Sequence, residues 1–272
     1  MDIDTFIRRF EAGLATLEGV SIEEARRRYD TICASFAPAD PAGMRIHDDQ
    51  VEGVPVRRFL PASSQPGCVV YCHGGGWNLG STISHHGVAA SLAQQLGREV
   101  VSVDYRLAPE ASYRDALEDC RRVVVACAPH ALVGDSAGAR LAMDVAYGGD
   151  WQGPLGLIYP PVGKPSVKAL GPDAPLLSRV DILTLWRQVA DQLPDIPVDT
   201  PPASRMDVLA VEHDPLTRPL LNAVDDWRAF GAEVSYRVAP DMVHGALHAW
   251  ASLPAMGDAW QEFCEALRVR LS

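Results

Sequence analysis

A serine between two glycines, an acid and a histidine further along are the groups in this chain that could do covalent chemistry. The serine is Ser136, in Gly134-Asp135-Ser136-Ala137-Gly138, a G-x-S-x-G pattern. Ala131, Leu132 and Val133 precede it as a short strand would, and Ala139, Arg140, Leu141, Ala142 and Met143 follow as helix formers. A strand, a tight turn and a helix throw a serine hydroxyl out above a sheet edge, and such a turn leaves almost no room for side chains at Gly134 and Gly138. A serine hydroxyl is a poor nucleophile until a base takes its proton. The usual base is a histidine held in the right tautomer by a carboxylate.

Asp214 and His244 follow Ser136 in that order. His244 comes directly after the last expected strand, whereas helical placement turns its competitor His248 elsewhere. Asp207 lies at the wrong end of its strand, Glu212 lies within or at the edge of it, and Asp214 opens the loop beyond. Asp214 is therefore the expected acid and His244 the expected base. Attack on a carbonyl also builds negative charge on its oxygen, and donors aimed at that charge in advance are worth ~3–4 kcal/mol each. His73-Gly74-Gly75-Gly76 supplies backbone with no side chains in the way, so its N–H groups can come close to an oxyanion. Ala137 N–H, at the start of the following helix, is a further donor.

These groups need a frame. Residues 4–17 and 22–34 have helical periodicity, with Ser21 and Glu24 spaced as a helix start. Residues 37–43 form a Pro/Ala/Gly linker. Residues 44–47 and 54–60 predict an edge hairpin turning around 48–53. Residues 67–72 are an almost continuous apolar run, as suits a buried parallel strand. A helix over about 84–96, a strand at 100–104 and a helix over 113–127 follow; a strand at 123–127 is the alternative for the last turns. After the Ser136 helix come strands at 155–159, 207–211 and 233–238, a helix up to about 230 and a final helix over about 246–269. Strand–helix alternation predicts a mostly parallel sheet covered on both faces, an α/β fold. Chemistry in such sheets gathers at the carboxyl ends of the strands. His73, Ser136, Asp214 and His244 each fall just beyond one.

Residues 160–202 interrupt the alternation. They are rich in Pro, Gly and Asp, carry one amphipathic helix at about 180–193, and are expected to be an inserted cap. The expected organisation is a catalytic domain over 41–159 and 203–272, with 1–40 and 160–202 as its small helical cap.

At 272 residues the chain suits one large domain with ample core. A net charge of −11 argues against nucleic acid, whose phosphates call for clustered Lys and Arg, and against a basic membrane-surface helix. No run approaches the ~20 apolar residues of a membrane span. Asp2, Asp4, Arg8, Arg9 and Glu11 break any apolar leader in residues 1–17, so a cytoplasmic protein is expected. The six cysteines lack zinc-type pairing and are expected to be reduced buried thiols, with Cys72 nearest the site. No metal is expected.

Five motifs in order resemble the hormone-sensitive-lipase family of α/β-hydrolases, which includes the bacterial family IV carboxylesterases. They are His73-Gly74-Gly75-Gly76-Trp77, the 104–110 run Asp-Tyr-Arg-Leu-Ala-Pro-Glu, Gly134-Asp135-Ser136-Ala137-Gly138, Asp214-Pro215-Leu216 and His244-Gly245. The resemblance implies an α/β-hydrolase fold, with Ser136, Asp214 and His244 as nucleophile, acid and base. It implies an oxyanion hole from the backbone of Gly75, Gly76 and Ala137, and a pocket bordered by Gly74, Trp77, Asn78 and Asp135. It implies hydrolysis of short- to medium-chain carboxylic esters without a cofactor, and it raises a homodimer through the last strand and helix. His73 is expected to brace the glycine loop, and Asp104, Tyr105 and Arg106 to stabilise the core around it. The chain departs from the family at Ala246, where Phe is frequent, at Arg218, where an acid is common, and at Gly138-Ala139, where a second Gly is usual. An aryl formamidase on the same triad and a non-catalytic small-molecule binder of the same fold are the rival readings.

Overall fold

The computed structural model describes residues 1–149 and 151–272. Two helices lead, α1 (Ile3–Ala15) and α2 (Ile22–Ala34), started by Asp2 and Ser21, whose side chains accept from the N–H three residues on. Then come β1 (Arg45–Val51), β2 (Val54–Leu60), β3 (Cys68–Cys72), α3 (His86–Leu96), β4 (Glu99–Val103) and α4 (Tyr113–Cys127). The middle of the chain holds β5 (Ala131–Asp135), α5 (Ser136–Tyr147), β6 (Leu155–Ile158) and α6 (Arg179–Val189). β7 (Arg205–His213), α7 (Thr217–Ala229), β8 (Glu233–Val243) and α8 (Pro254–Arg270) complete it.

The eight strands make one sheet in the order β1-β2-β4-β3-β5-β6-β7-β8. β1, β2 and β4 pair antiparallel, and every other pairing is parallel. Parallel neighbours need crossovers, and the helices supply them on both faces. Successive side chains of a strand point to opposite faces. In β3, Val70 joins Val123 of α4, Leu141 of α5 and Trp227 of α7, while Val69 and Tyr71 join Leu92 of α3 and Trp260 of α8. β3 and β5 are buried along their whole length, which is why they read as unbroken apolar runs. Ser112 with Asp115, and Ser178 with Asp181, form reciprocal capping boxes that start α4 and α6. The strand alternative for 123–127 is overruled: those valines sit on α4.

Three expectations on the outer elements need correction. The hairpin does not turn around 48–53. β1 runs to Val51, which pairs with Val54, and only Glu52 and Gly53, both at positive φ, make the turn. The polar stretch 48–50 hid the strand; its acids pair across it, Asp48 with Arg57 and Asp49 with Arg58. β8 extends to Val243 rather than Val238. Pro240 lies inside it, and the strand tolerates the missing N–H because it is the sheet edge. The last helix does not start at Ala246: residues Ala246–Ala249 form a 3₁₀ turn, and α8 begins with Pro254 at its first position. Among the described residues no helix is long and apolar enough to cross a membrane.

Candidate active site

Four polar groups singled out from the sequence each sit one residue past a strand. His73 follows β3, Ser136 follows β5, Asp214 follows β7 and His244 follows β8. Parallel pairing brings those ends to one side of the sheet. Ser136 opens α5 with φ at +48°, a left-handed conformation unusual for a residue with a side chain. The turn closes tightly around it. A Cβ on Gly134 would stand 2.5 Å from the Gly138 carbonyl oxygen, and one on Gly138 2.1 Å from that of Cys72. Both neighbours are backbone and cannot step aside, so β5 and α5 are held together at that turn by the absence of side chains.

The Ser136 hydroxyl lies 2.9 Å from His244 Nε2. His244 Nδ1 lies 2.7 Å from Asp214 Oδ2. A carboxylate only accepts, so Nδ1 carries the proton and Nε2 is left free to accept from the serine. The other Asp214 oxygen accepts from Leu216 N–H at 2.8 Å, which fixes the carboxylate in its loop. The side chain of Asp214 is fully buried, while His244 keeps some access to the cleft. The competitors are used elsewhere. Glu212 is exposed at the end of β7 and accepts from Asp241 N–H. Asp207 is buried against Arg270. His248 is buried in the 3₁₀ turn, with Nε2 3.5 Å from the Tyr29 hydroxyl and 3.6 Å from Cys33 Sγ.

The glycine loop stands over the serine. Gly75 and Gly76 both have positive φ. A Cβ at Gly75 would fall 2.3 Å from the Leu79 carbonyl oxygen, so only glycine fits there. Among the described residues nothing accepts from the N–H of Gly75 or Gly76. Ala137 N–H is one of the donors that the first turn of α5 leaves without a partner inside the helix. These three amides are thus available to an incoming oxygen.

Gly74 and Asp135 are joined to each other, and Asp135 also borders the cleft as expected. Gly74 N–H donates to Asp135 Oδ1 at 2.8 Å, and the Tyr71 hydroxyl donates to the same oxygen at 2.5 Å. His85 Nε2 lies 3.3 Å from the other oxygen. The pair therefore ties the glycine loop to the strand that carries Ser136, at the border of the cleft. Burial pushes the Asp135 carboxyl up, but the charge of His85 and the hydrogen bonds from His85 and Tyr71 outweigh it and hold the group below the usual carboxylate range. Burial, followed by the charge of His85, lowers His73 and His248 to about 3, so both rings are neutral.

The bracing residues fall where they were expected. His73 is buried, stacks on Tyr105 with ring centres 4.3 Å apart, and its carbonyl accepts from the Tyr105 hydroxyl. Arg106 grips Asp119 through two 2.8 Å hydrogen bonds. Trp77 donates its indole N–H to the Ala137 carbonyl at 3.0 Å. The Asn78 carbonyl accepts from Arg26 of α2, which also pairs with Glu110. Arg218, in place of the common acid, reaches the Lys168 carbonyl and links the acid loop to the 160–202 segment. The six thiols are free, and Cys72 Sγ lies 3.6 Å from that of Cys120.

A cavity of about 250 Å³ opens over Ser136 and His244, and Asn78 is in its wall. Phe10, Leu14 and Tyr29 enter it from α1 and α2, and Leu176, Leu177 and Leu185 from the 160–202 segment. The sequence reading missed Tyr159, whose ring centre lies 4.4 Å from that of His244. Its signal was present: Tyr159 is the residue directly after β6, at the same strand-end position as the reactive groups.

Comparison with known proteins places this fold. A family model described as the alpha/beta hydrolase fold matches residues 69–248. The chain is 28% identical to the carboxylesterase NlhH of Mycobacterium tuberculosis, over 98% of this chain and 93% of that one. It is 30% identical to DphMB1 of known crystal structure, with a TM-score of 0.79 and 93% of each chain covered. An esterase structure from the bacterial hormone-sensitive lipase family superposes with a TM-score of 0.84 at 23% identity, over 99% of this chain and 98% of that one.

Proposed function

This chain belongs to the α/β-hydrolase family, and from that premise we propose that it is a serine carboxylesterase whose triad is Ser136, His244 and Asp214. The observation that carries the proposal is the unbroken line from Ser136 Oγ through His244 to Asp214, at 2.9 and 2.7 Å. A carboxylesterase relative aligned over nearly the full length of both chains supports ester hydrolysis as the general chemistry.

In the proposed reaction, Ser136 Oγ attacks the ester carbonyl carbon as His244 Nε2 takes its proton. The carbonyl π electrons move onto oxygen, where the amides of Gly75, Gly76 and Ala137 receive the charge. The C–O bond to the alcohol then breaks, and the His244 proton goes to the departing oxygen. Water enters, gives a proton to His244 and its oxygen to the acyl carbon, and the acid leaves as Ser136 regains the proton. Asp214 stays ionised and steadies the imidazolium. The substrates are short- to medium-chain carboxylic esters, with α1, α2 and the 160–202 segment as the cap over them. A homodimer through the β8 edge and α8 is a further part of the proposal, and a single monomeric species in light scattering would dispose of it.

The test is initial rates on p-nitrophenyl esters from acetate to dodecanoate, with Ser136→Ala as the blank. The expected outcome is serine-dependent turnover of the shorter esters. Activity on formamides alone would move the reaction to amide hydrolysis on the same groups. Ligand binding with no turnover of either class would leave a binding protein.

A further inference from the structure

Between α5 and the 160–202 segment lies a separate cavity of about 270 Å³, which Ser136, His244 and Asp214 do not border. Arg140 of α5 lines it and is only 5% exposed. The Arg140 Nε–H donates to Asp144 Oδ1 at 3.0 Å, and the guanidinium carbon stands 5.5 Å from the centre of the Trp186 ring. Among the described residues nothing accepts from Nη1 or Nη2, and neither nitrogen is sealed from solvent. A charge taken out of water and given a single hydrogen bond is poorly compensated. Asp144 has nothing more to give, because its other oxygen accepts from the Tyr113 hydroxyl at 2.6 Å. The open edge of the guanidinium therefore faces the cavity with its donors unspent. Two parallel N–H groups on such an edge match the two oxygens of a carboxylate.

We propose that this cavity is a binding site for a small monocarboxylate with an apolar body, its carboxylate held on the Nη1–Nη2 edge of Arg140. The charges at the border select the ligand's charge. Exposed Lys164 adds a second cation, while exposed Asp191 and Asp195 oppose a dianion, so a single negative charge fits best. Leu193, Pro194 and Ile196, all half-buried, give the body of the ligand an apolar wall. Roughly 10–15 Å³ of such space holds one water-sized group, so about 270 Å³ takes a benzoate-sized molecule with room for ordered water. The wall is already in place without a ligand: Gln192, in the 3₁₀ turn at its edge, accepts from Tyr113 N–H at 2.7 Å and pins the segment to the start of α4. A ligand seated there ties residues 190–196 to α5.

Isothermal titration calorimetry of the intact chain tests this, with benzoate as the monocarboxylate and sulfate as the dianion. Binding is read without turnover, so the outcome is independent of the esterase reading. Benzoate should bind the wild type, and sulfate should bind more weakly. Arg140→Gln combined with Asp144→Asn removes both charges of the buried pair together, and it should weaken benzoate by about tenfold or more, the order of a lost charge-assisted hydrogen bond. Ile196→Trp leaves the pair intact and fills the cavity from its wall. It should weaken benzoate by a similar factor, so the result does not hang on the double variant folding. Benzoate that binds both variants as tightly as the wild type is held elsewhere, at the amides over Ser136 or on the surface, and overturns the site. No binding to the wild type at millimolar concentration overturns it as well. Sulfate that binds as tightly as benzoate, and is lost in the same variants, overturns the choice of a monocarboxylate.

Discussion

The floor of the cleft and its roof meet at Ser136 but are held by different things. In the floor, backbone sits against backbone: Gly138 under the Cys72 carbonyl, Gly134 under that of Gly138, Gly75 under that of Leu79. In the roof, side chains sit against side chains. Leu170, Ile182 and Leu216 form a small cluster of their own, and a Cβ on Gly76 would meet the side-chain ends of Leu185 and Asn78 and no backbone. Backbone has no alternative rotamer, so a floor built this way holds reacting atoms to a fixed geometry. A roof of leucines and an isoleucine can be reshaped one residue at a time. The geometry at Ser136 and the shape of the space above it are thus held by separable parts.

The comparison can be broken from either side. The largest effect should come from Asp214→Asn, which keeps the shape but favours the wrong histidine tautomer; kcat should fall by ~10⁴ with the melting temperature little changed. Near-normal turnover would shift the acid role to Glu212. Next is Gly138→Ala, whose methyl must displace the Cys72 and His73 carbonyls. It should cost stability at the upper end of ~1–3 kcal/mol in urea unfolding, and an unchanged midpoint would show that the floor yields after all. The buried rings beside the floor give a smaller, pH-dependent effect. His73 and His248 are held down to about 3 in the fold, against an ordinary value near 6.5. As pH falls from 6.5 toward 3 the unfolded chain takes up protons that these rings refuse, so their contribution is whole above 6.5 and declines below it. The decline is at most ~1.4 kcal/mol per pH unit for each ring. His248→Gln should flatten the slope of unfolding free energy between pH 6.5 and 4.5 relative to the wild type; an equal slope would show that the ring is not excluded from protonation. Smallest is Ile182→Val in the roof, expected at ~0.5–1.5 kcal/mol with the triad geometry untouched. A large loss of acetate turnover in that variant would mean that the roof, too, holds the reacting atoms.

The floor was the legible part of the sequence because its demands are local. A glycine that must pass under a carbonyl, and a serine between a strand and a helix, are written within five residues. Strand ends were legible for the same reason, since buried parallel strands read as apolar runs with abrupt stops. The roof and the margins were less so. The Gly74–Asp135 tie depends on groups 61 residues apart, and nothing near Asp135 announces that its carboxylate accepts from Gly74 and Tyr71. β1 was hidden because its acids find their arginines on a neighbouring strand. The end of β8 was hidden because Pro240 reads as a stop unless the strand is known to be an edge. Pro254 was the signal for the start of α8, and the apolar residues from 246 onward masked it.

Ser136 and His244 stand 108 positions apart in sequence, and the strand that carries the histidine is the last one in the chain. Ser136 therefore lacks its histidine neighbour until β8 has docked on β7. Long-range parallel pairing forms slowly, because chain closure comes before the contacts that reward it. After dilution from denaturant, helical circular dichroism should recover first and esterase turnover last. The time between the two measures how long the chain persists as a nearly complete but chemically silent molecule.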